Sequence, residues 1–159
     1  MQPLAFDELL ADICQDCQYL ADEKQITINM HGFFSLTLSA DHNLLSSALS
    51  NVIINAIKYS PKQSEIKISM HKRIHNQQEC IELVISDSGT GVPQATLEKL
   101  FQPFYRVDEA RDRNTGGTGL GLAIAQQAVL AHNGEISAKN NDSGGLSVTI
   151  TLPVNNNAD

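Results

Sequence analysis

The spacing of apolar residues divides the chain into helical and extended segments. Apolar residues recur at helical spacing from Phe6 to Leu20, which predicts an amphipathic helix over residues 6–23. Asp41 is a residue type that caps helix starts, and Ser60-Pro61 is typical of a helix end. The predicted helices therefore cover about residues 6–23, the segment from Asp41 to Ser60-Pro61, about 94–100 and about 120–132.

Strict alternation of apolar and polar residues predicts the strands. Two alternating runs, at 66–70 and 81–85, should pair through the polar stretch His75–Gln78. The other predicted strands are Ile26–Met30, Leu36–Leu38, Glu135–Lys139 and Leu146–Leu152, the last two forming a hairpin. Helices and strands alternate in part, while the last strands form hairpins. We therefore expect an α+β two-layer α/β sandwich, a mixed sheet of about five strands with three main helices on one face.

Composition narrows the class of protein. A length of 159 residues suits one domain, and we find no internal repeat or domain boundary. The net charge of −7 argues against nucleic-acid binding, which needs clustered Lys and Arg. No apolar run is long enough to span a membrane, and the first residues lack the features of a signal peptide. Cys14 and Cys17 form a C-x-x-C pair without a second pair, so we interpret them as reduced helix cysteines in a cytosol.

Polar residues interrupt the apolar pattern of the helix that follows Asp41. Asn51 and Asn55 lie four residues apart and share one helix face, and Lys58 and Tyr59 follow one turn later. Asparagine is unfavourable inside a helix, so two of them on one face suggest a function. An amide oxygen suits Mg²⁺, and a lysine suits phosphate. A solvated polar stripe is the alternative interpretation.

Two further segments follow predicted strands or helices directly. Asp87-Ser88-Gly89-Thr90-Gly91 ends a strand, where the carboxylate could accept a hydrogen bond from an exocyclic amine while the glycines allow close approach of a flat ligand. A strand-to-helix turn with a capping Asp is the alternative. Phe101-Gln-Pro-Phe104-Tyr105-Arg106 begins a long irregular loop, in which the aromatic residues would anchor the chain and Arg106 would meet an anion.

The segment Gly116–Leu122 reads GGTGLGL and runs straight into a predicted helix. Backbone amides at a helix start bind phosphate, and closely spaced glycines let several amides point at one anion. The segment matches neither a Walker A loop nor a Rossmann fingerprint. Each of the four motifs alone is a moderate signal, whereas their order together indicates a nucleotide site.

These four motifs, in this order and spacing, resemble the N, G1, F and G2 boxes of the catalytic ATP-binding domain of sensor histidine kinases. That domain belongs to the gyrase, heat-shock-chaperone, kinase and mismatch-repair (GHKL) ATPase superfamily, whose fold is the Bergerat fold. The resemblance covers about residues 6–154, and FQPFYRVDEARDRNTGGTGLGLAIA looks most like the Cpx-type envelope-stress sensor kinases of Gram-negative bacteria. It implies one catalytic domain over 1–159, with its core at about 6–154, an ATP lid at about 105–118 and a polar tail at 155–159.

The resemblance also implies roles for individual residues. Asn55 would bind Mg²⁺, Asp87 would hydrogen-bond the adenine amine, and Tyr59 would pack near the adenine and ribose. Three residues would approach the phosphates as the catalytic group: Asn51, Lys58 and Arg106. The base pocket and the phosphate lid would be shaped by Gly89, Gly91, Gly117, Thr118, Gly119, Leu120, Gly121 and Leu122. Ser147 occupies the position at which relatives have a Thr that assists the Asp.

The reaction and the partners follow from the same resemblance. Hydrolysing relatives carry a catalytic Glu at the position of Asn51, and an amide cannot act as a general base. The chain should therefore bind Mg-ATP and donate the γ-phosphate to a histidine rather than to water. That histidine would lie on a separate dimerisation and phosphoacceptor domain, with a response regulator as the next acceptor.

None of the five histidines has the neighbours of that phosphorylated residue, so this chain should not phosphorylate itself. We expect a monomeric cytoplasmic domain of a bacterial inner-membrane sensor, without direct membrane contact. The alternatives are a GHKL-type ATPase or chaperone-like module, which would need Glu at position 51, and a non-catalytic interaction module, which would have broken motifs.

Overall fold

The computed structural model describes residues 1–103, 105 and 121–154. Its strands are β1 (Gln2–Ala5), β2 (Thr27–His31), β3 (Thr37–Ala40), β4 (Glu65–His75), β5 (Gln78–Ser86), β6 (Glu135–Asn140) and β7 (Leu146–Pro153). Its α-helices are α1 (Phe6–Asp16), α2 (Gln18–Glu23), α3 (His42–Tyr59) and α4 (Gly121–Ala131), and a 3₁₀ helix covers Gln94–Phe101. In these described ranges, no helix has the length and apolar character needed to cross a lipid bilayer.

The main sheet has five strands in the order β2-β4-β5-β7-β6. β2 runs parallel to β4, and the other neighbouring pairs are antiparallel, so the sheet is mixed as predicted. In this register Ile68 lies opposite Ile85, which in turn lies opposite Val148. All three side chains are buried. Because alternate residues of a strand face opposite sides, one sheet face is apolar and the other carries mostly polar residues.

The hairpin between β4 and β5 forms where the polar stretch predicted it. Asn76 and Gln77 connect the strands, with φ angles of 51° and 62°. Two residues of positive φ match the twist of paired strands, which explains why such a short connection is possible. Asp87 follows β5 directly, at the end of that strand that lies away from the hairpin.

The apolar sheet face packs against the helices. Leu10 of α1, Leu49 and Ile53 of α3 and Val129 of α4 are fully buried in one core with the sheet residues. The predicted cap of α3 is confirmed, since the Asp41 carboxylate accepts a hydrogen bond from Leu44 N at 3.0 Å. The two-layer architecture expected from the pattern is therefore confirmed.

Three local expectations need correction. The predicted helix over 6–23 is divided at Cys17 into α1 and α2. The apolar spacing could not reveal this break, because Cys17 keeps helical angles and both helices bury the same side. The strand expected at Leu36–Leu38 is β3, and it pairs with the unpredicted β1 in a separate two-stranded sheet. The helix predicted over 94–100 is a 3₁₀ helix.

Candidate functional site

Asp87 continues the inward-facing positions of β5 and lies at the edge of the helical layer. It is 8% exposed. Its Oδ1 accepts hydrogen bonds from Gly89 N at 2.9 Å and from Leu146 N at 3.0 Å. Among the described residues, Oδ2 has no hydrogen-bond partner. One carboxylate oxygen is thus fixed by backbone, while the other remains able to accept a bond from a ligand.

Burial also changes the chemistry of this carboxyl group. Desolvation raises the pKa of Asp87 above its ordinary value, and the two backbone hydrogen bonds partly oppose that rise. A carboxylate in such surroundings has an unfavourable free energy of desolvation that a hydrogen-bond donor can offset. A buried, incompletely paired acid that opens on a surface is typical of a functional site.

Glycines bring backbone segments close to Asp87. A Cβ added at Gly145 would lie 2.1 Å from the Asp87 carbonyl oxygen, and the residue has φ +90°. A Cβ added at Gly89 would lie 2.4 Å from the Tyr59 carbonyl oxygen. Both positions therefore exclude any side chain. The predicted importance of Gly89 has a steric reason, and Gly145 is a residue that the motif interpretation missed.

Asn140 is a second residue that the motif interpretation missed. Its Oδ1 accepts a bond from Val92 N at 2.9 Å, and its Nδ2 donates to Val92 O at 2.7 Å. The same Oδ1 would lie 2.6 Å from a Cβ added at Gly91. Asn140 therefore holds the segment after Asp87 in place. The turn-forming residues around 140–145 were the available signal, but a turn does not show which segment it contacts.

The polar residues of α3 form one strip, and Tyr59 at its end lies close to Gly89 in the segment after Asp87. Asn51, Asn55, Lys58 and Tyr59 are half-buried, in contrast to the fully buried core face of the same helix. Asn51 Nδ2 donates to Ser47 Oγ at 3.4 Å. In the described part of the chain, the side-chain amide of Asn55 makes no hydrogen bond. The Asn55 amide is therefore available to a ligand.

At Asn51, the asparagine motif of α3 lies close to the glycine-rich motif that begins α4. A Cβ added at Gly121, the first residue of α4, would lie 3.5 Å from Asn51 Oδ1. The start of α4 therefore lies close to the middle of α3. Leu122 follows, and its side chain is buried in the core, so its backbone is the part that can face a ligand. From Asn51 to Tyr59 the strip is about 12 Å long.

Ser147 requires a correction to the expected arrangement. Its hydroxyl is hydrogen-bonded to Ser86 Oγ at 2.6 Å and to Asn141 Oδ1 at 2.5 Å. Ser147 and Ser86 are paired in register and face the side of the sheet opposite to Asp87. Ser147 holds the position at which relatives have an assisting Thr, but the hydrogen bonds to Asp87 Oδ1 come from the backbone N–H groups of Leu146 and Gly89.

Several predicted residues lie outside the described part of the chain. The lid was predicted at about 105–118, and of this range the structure describes Tyr105 alone. Phe101, the predicted anchor before it, is buried as expected. The predicted residues outside the description are Phe104, Arg106, Gly116, Gly117, Thr118, Gly119 and Leu120, together with the polar tail at 155–159.

The site offers few protein side chains that could bind a metal ion. Within residues 1–103, 105 and 121–154, no group of three or more His, Cys, Asp or Glu side chains could hold an ion. Mg²⁺ commonly keeps several waters and is bound by one or two protein oxygens and by substrate phosphates. The amide of Asn55 fits that pattern, whereas a permanent metal cage does not.

Most of the chain is similar in sequence to known proteins. Residues 40–156 match the family model described as histidine kinase-, DNA gyrase B- and HSP90-like ATPase. The sensor histidine kinase WalK of Bacillus subtilis is 42% identical over 118 residues, which are 74% of this chain and 19% of WalK. CpxA of Escherichia coli K12 is 36% identical over 150 residues, 93% of this chain and 31% of CpxA. The expected likeness to Cpx-type kinases is confirmed and extends to WalK, and the chain spans less than two fifths of these relatives.

Solved structures show the same fold. The catalytic domain of the histidine kinase ThkA superimposes with a TM-score of 0.82 at 22% identity, covering 96% of this chain and 95% of that domain. The mycobacterial sensor histidine kinase MprB superimposes with a TM-score of 0.79 at 26% identity, and 96% of both chains is covered. The matched family segment includes the α3 strip, Asp87 and the start of α4. The chain belongs to the histidine kinase-, DNA gyrase B- and HSP90-like ATPase family.

Proposed function

We propose that the chain is the ATP-binding catalytic domain of a sensor histidine kinase. In this function it binds Mg-ATP and donates the γ-phosphate to a histidine on a separate dimerisation and phosphoacceptor domain. The observation that carries the proposal is the carboxylate of Asp87, which is fixed through Oδ1 and open at Oδ2. It lies next to the α3 strip, whose first residue, Asn51, is close to Gly121. The Asp87 carboxylate would accept a hydrogen bond from the amine of a base, and the α3 strip would contact a phosphate chain.

Asp87 would select adenine. An exocyclic amine donates a hydrogen bond, and a desolvated carboxylate is a strong acceptor for it. Gly89 and Gly91 would shape the flat sides of the base pocket, and Tyr59 would pack near the adenine and ribose. Guanine presents a carbonyl where adenine has its amine, so the same oxygen would repel it.

The phosphates would extend along α3 toward the start of α4. Asn55 would hold Mg²⁺, which when bound neutralises charge on the phosphates. Asn51, Lys58 and Arg106 would approach the phosphates, and Gly117–Leu120 with the Gly121 and Leu122 backbone would close over them. The lid at about 105–118 and a single catalytic domain over 1–159 are parts of the same proposal.

The residue at position 51 favours transfer over hydrolysis. An asparagine amide cannot accept a proton from water, so the α3 strip offers no general base at this position. Phosphoryl transfer depends mainly on positioning and charge stabilisation, so a histidine nucleophile brought by another domain would suffice. A response regulator would then take the phosphate, and the parent protein would be a bacterial inner-membrane sensor with this domain in the cytoplasm. One structural neighbour, full-length ShkA, was solved in complex with AMPPNP, which is consistent with the ligand proposed here.

The test uses labelled ATP and a separately expressed phosphoacceptor domain from a sensor histidine kinase. We expect acid-labile label on that domain when the present chain is added, and much less label when Asp87→Asn replaces it at an ATP concentration near the wild-type Kd. Release of free phosphate without transfer would instead support an ATPase. Absence of nucleotide binding would support a non-catalytic module, and either result would refute the proposed function.

A further inference from the structure

Lys24 lies between α2 and β2 and belongs to none of the sequence motifs. Its ammonium donates to three carbonyl oxygens at the end of α3, those of Ile57 at 2.9 Å, Lys58 at 3.0 Å and Ser60 at 2.6 Å. An ammonium group carries three N–H donors, one for each of these acceptors. The three acceptors lie 33 to 36 residues away along the chain. Lys24 therefore caps α3 through a tertiary contact.

The end of α3 needs such a cap. The last carbonyls of a helix have no partner within the helix, and a positive charge near them is favourable. Ser60 is extended, with φ −86° and ψ 144°, because Pro61 follows it and disfavours helical angles. The chain after α3 therefore turns away, and the last carbonyl groups of the helix have no hydrogen-bond donor within it. The Lys24 ammonium satisfies them.

The backbone around this contact is held in an unfavourable conformation. Gln25 and Gln63 have φ angles of 57° and 61°, in the left-handed region that disfavours residues with a Cβ. Gln63 N donates to Lys24 O at 2.9 Å, and the two glutamine side chains are hydrogen-bonded at 3.1 Å. Gln25 lies in the connection before β2, and Gln63 lies in the connection before β4. Two unfavourable φ angles at neighbouring positions indicate that the surrounding structure imposes the geometry of both connections.

The same turn of α3 carries Lys58 and Tyr59 and packs on the turn that follows Asp87. The Tyr59 carbonyl leaves no room for a side chain at Gly89. Ser60 Oγ accepts a bond from Ser88 N at 3.5 Å. The end of α3 is thus held between the Lys24 ammonium and the turn that follows Asp87.

We propose that Lys24 is a positioning residue for nucleotide binding. By capping α3 it holds the Lys58–Ser60 turn against residues 87–89, at the separation that lets one ligand contact both. Lys24 acts through the α3 backbone and not by touching the ligand. The consequence for affinity rests on the proposed function, whereas the coupling of Lys24 to the 87–89 turn does not.

The test compares Lys24→Met with two controls. Lys62→Met removes the same charge from an exposed lysine in the connection after α3. Leu152→Ala removes a buried side chain near the far end of β7, which destabilises the core away from the site. For each variant we would measure Mg-ATP affinity by titration, urea unfolding, and the backbone amide shifts of Ser88 and Gly89 without ligand.

We expect Lys24→Met to weaken Mg-ATP binding by about tenfold or more, the scale of hydrogen bonds to a charged group. It should also shift the Ser88 and Gly89 amides, and Lys24→Arg, which keeps the charge and donors, should recover part of the affinity. Both controls should bind like the wild type. If Lys24→Met lowers only the unfolding midpoint, Lys24 is a structural cap and the proposal is wrong. If Lys24→Met does not fold, Lys24→Gln takes its place, and its Mg-ATP affinity, urea unfolding and amide shifts decide between the two roles of Lys24.

Failure of the two proposals can be told apart. A wild-type chain that does not bind Mg-ATP refutes the proposed function. In that case the ligand-free amide shifts decide the role of Lys24. Shifts at Ser88 and Gly89 in Lys24→Met support the coupling, and unchanged shifts overturn it.

Discussion

At the scale of single residues, Asp87 combines a cost in stability with the role in base binding that we propose for it. Burial raises its pKa, which means that the folded chain disfavours the charged form. Two backbone N–H groups orient the carboxylate and leave one oxygen open. Burial also raises the pKa of Cys14, to about 11, and that of Cys17, and it keeps both side chains as unreactive thiols at neutral pH.

The first prediction concerns the stability of Asp87→Asn. The raised pKa of Asp87 means that its ionisation costs free energy of folding; the cost is absent below the ordinary pKa and develops as pH rises from the ordinary to the raised value. A neutral amide at this position would avoid that cost, so the variant should be at least as stable as the wild type at neutral pH. Urea unfolding over a pH series measures the difference, which should shrink toward acid pH. A deficit that grows with rising pH would contradict the argument.

The second prediction concerns the affinity of the same variant. Asp87→Asn exchanges part of the acceptor for a donor, so ATP affinity should fall about tenfold to a hundredfold, the range for a hydrogen bond to a charged group. Isothermal titration with ATP and with GTP gives the readout. Unchanged ATP affinity would show that Asp87 does not contact the base.

The third prediction separates metal from nucleotide. Asn55→Ala should weaken ATP binding by about tenfold or more when Mg²⁺ is present, on the scale of disturbed metal sites. With Mg²⁺ removed by a chelator, the variant and the wild type should bind ATP similarly. Equal losses in both conditions would assign Asn55 to the nucleotide itself.

At the scale of elements, α3 organises the site because both of its ends are capped. Asp41 caps its start within the same segment, while Lys24 caps its end from a distant connection. Its apolar face is buried in the core, and its half-buried polar strip runs from Asn51, close to Gly121, to Tyr59, close to Gly89.

The fourth prediction concerns the strained connection after α3. Gln63 has φ 61°, which costs about 1 kcal/mol for a residue with a Cβ. Gln63→Gly removes that cost and should raise the free energy of unfolding by up to about 1 kcal/mol, less the loss of the bond to Gln25. Gln63→Ala keeps the cost, loses the bond, and should be less stable than the wild type. Urea unfolding of the three proteins would contradict this account if the alanine variant were the most stable.

At the scale of the whole molecule, the large apolar residues exposed in the described ranges are dispersed along the chain. They are Met1, Tyr19, Met30, Leu44, Ile74, Ile124 and Leu130. The net charge of −7 adds repulsion between copies. We therefore expect a monomer of 17.3 kDa by sedimentation equilibrium. A species of twice that mass at micromolar concentration would contradict this expectation.

Much of the fold was accessible from the sequence, because it depends on local periodicity. The mixed sheet, the β4–β5 hairpin, α3 and its Asp41 cap follow from spacing and residue type. The break at Cys17 did not, since a bend that preserves helical angles leaves the apolar spacing intact. β1 escaped prediction because four residues are too few to establish alternation.

The sequence by itself determined the chemistry of the site, since Asp87, Asn51 and Asn55 are recognisable by residue type and spacing. Only the tertiary structure decided what surrounds them. Leu146 replaces Ser147 as the partner of Asp87 because strand register assigns the two residues to opposite sheet faces. Lys24 reaches the end of α3 because parallel pairing of β2 with β4 brings their preceding connections together. Contacts between residues distant in sequence depend on register and packing, which local patterns do not encode.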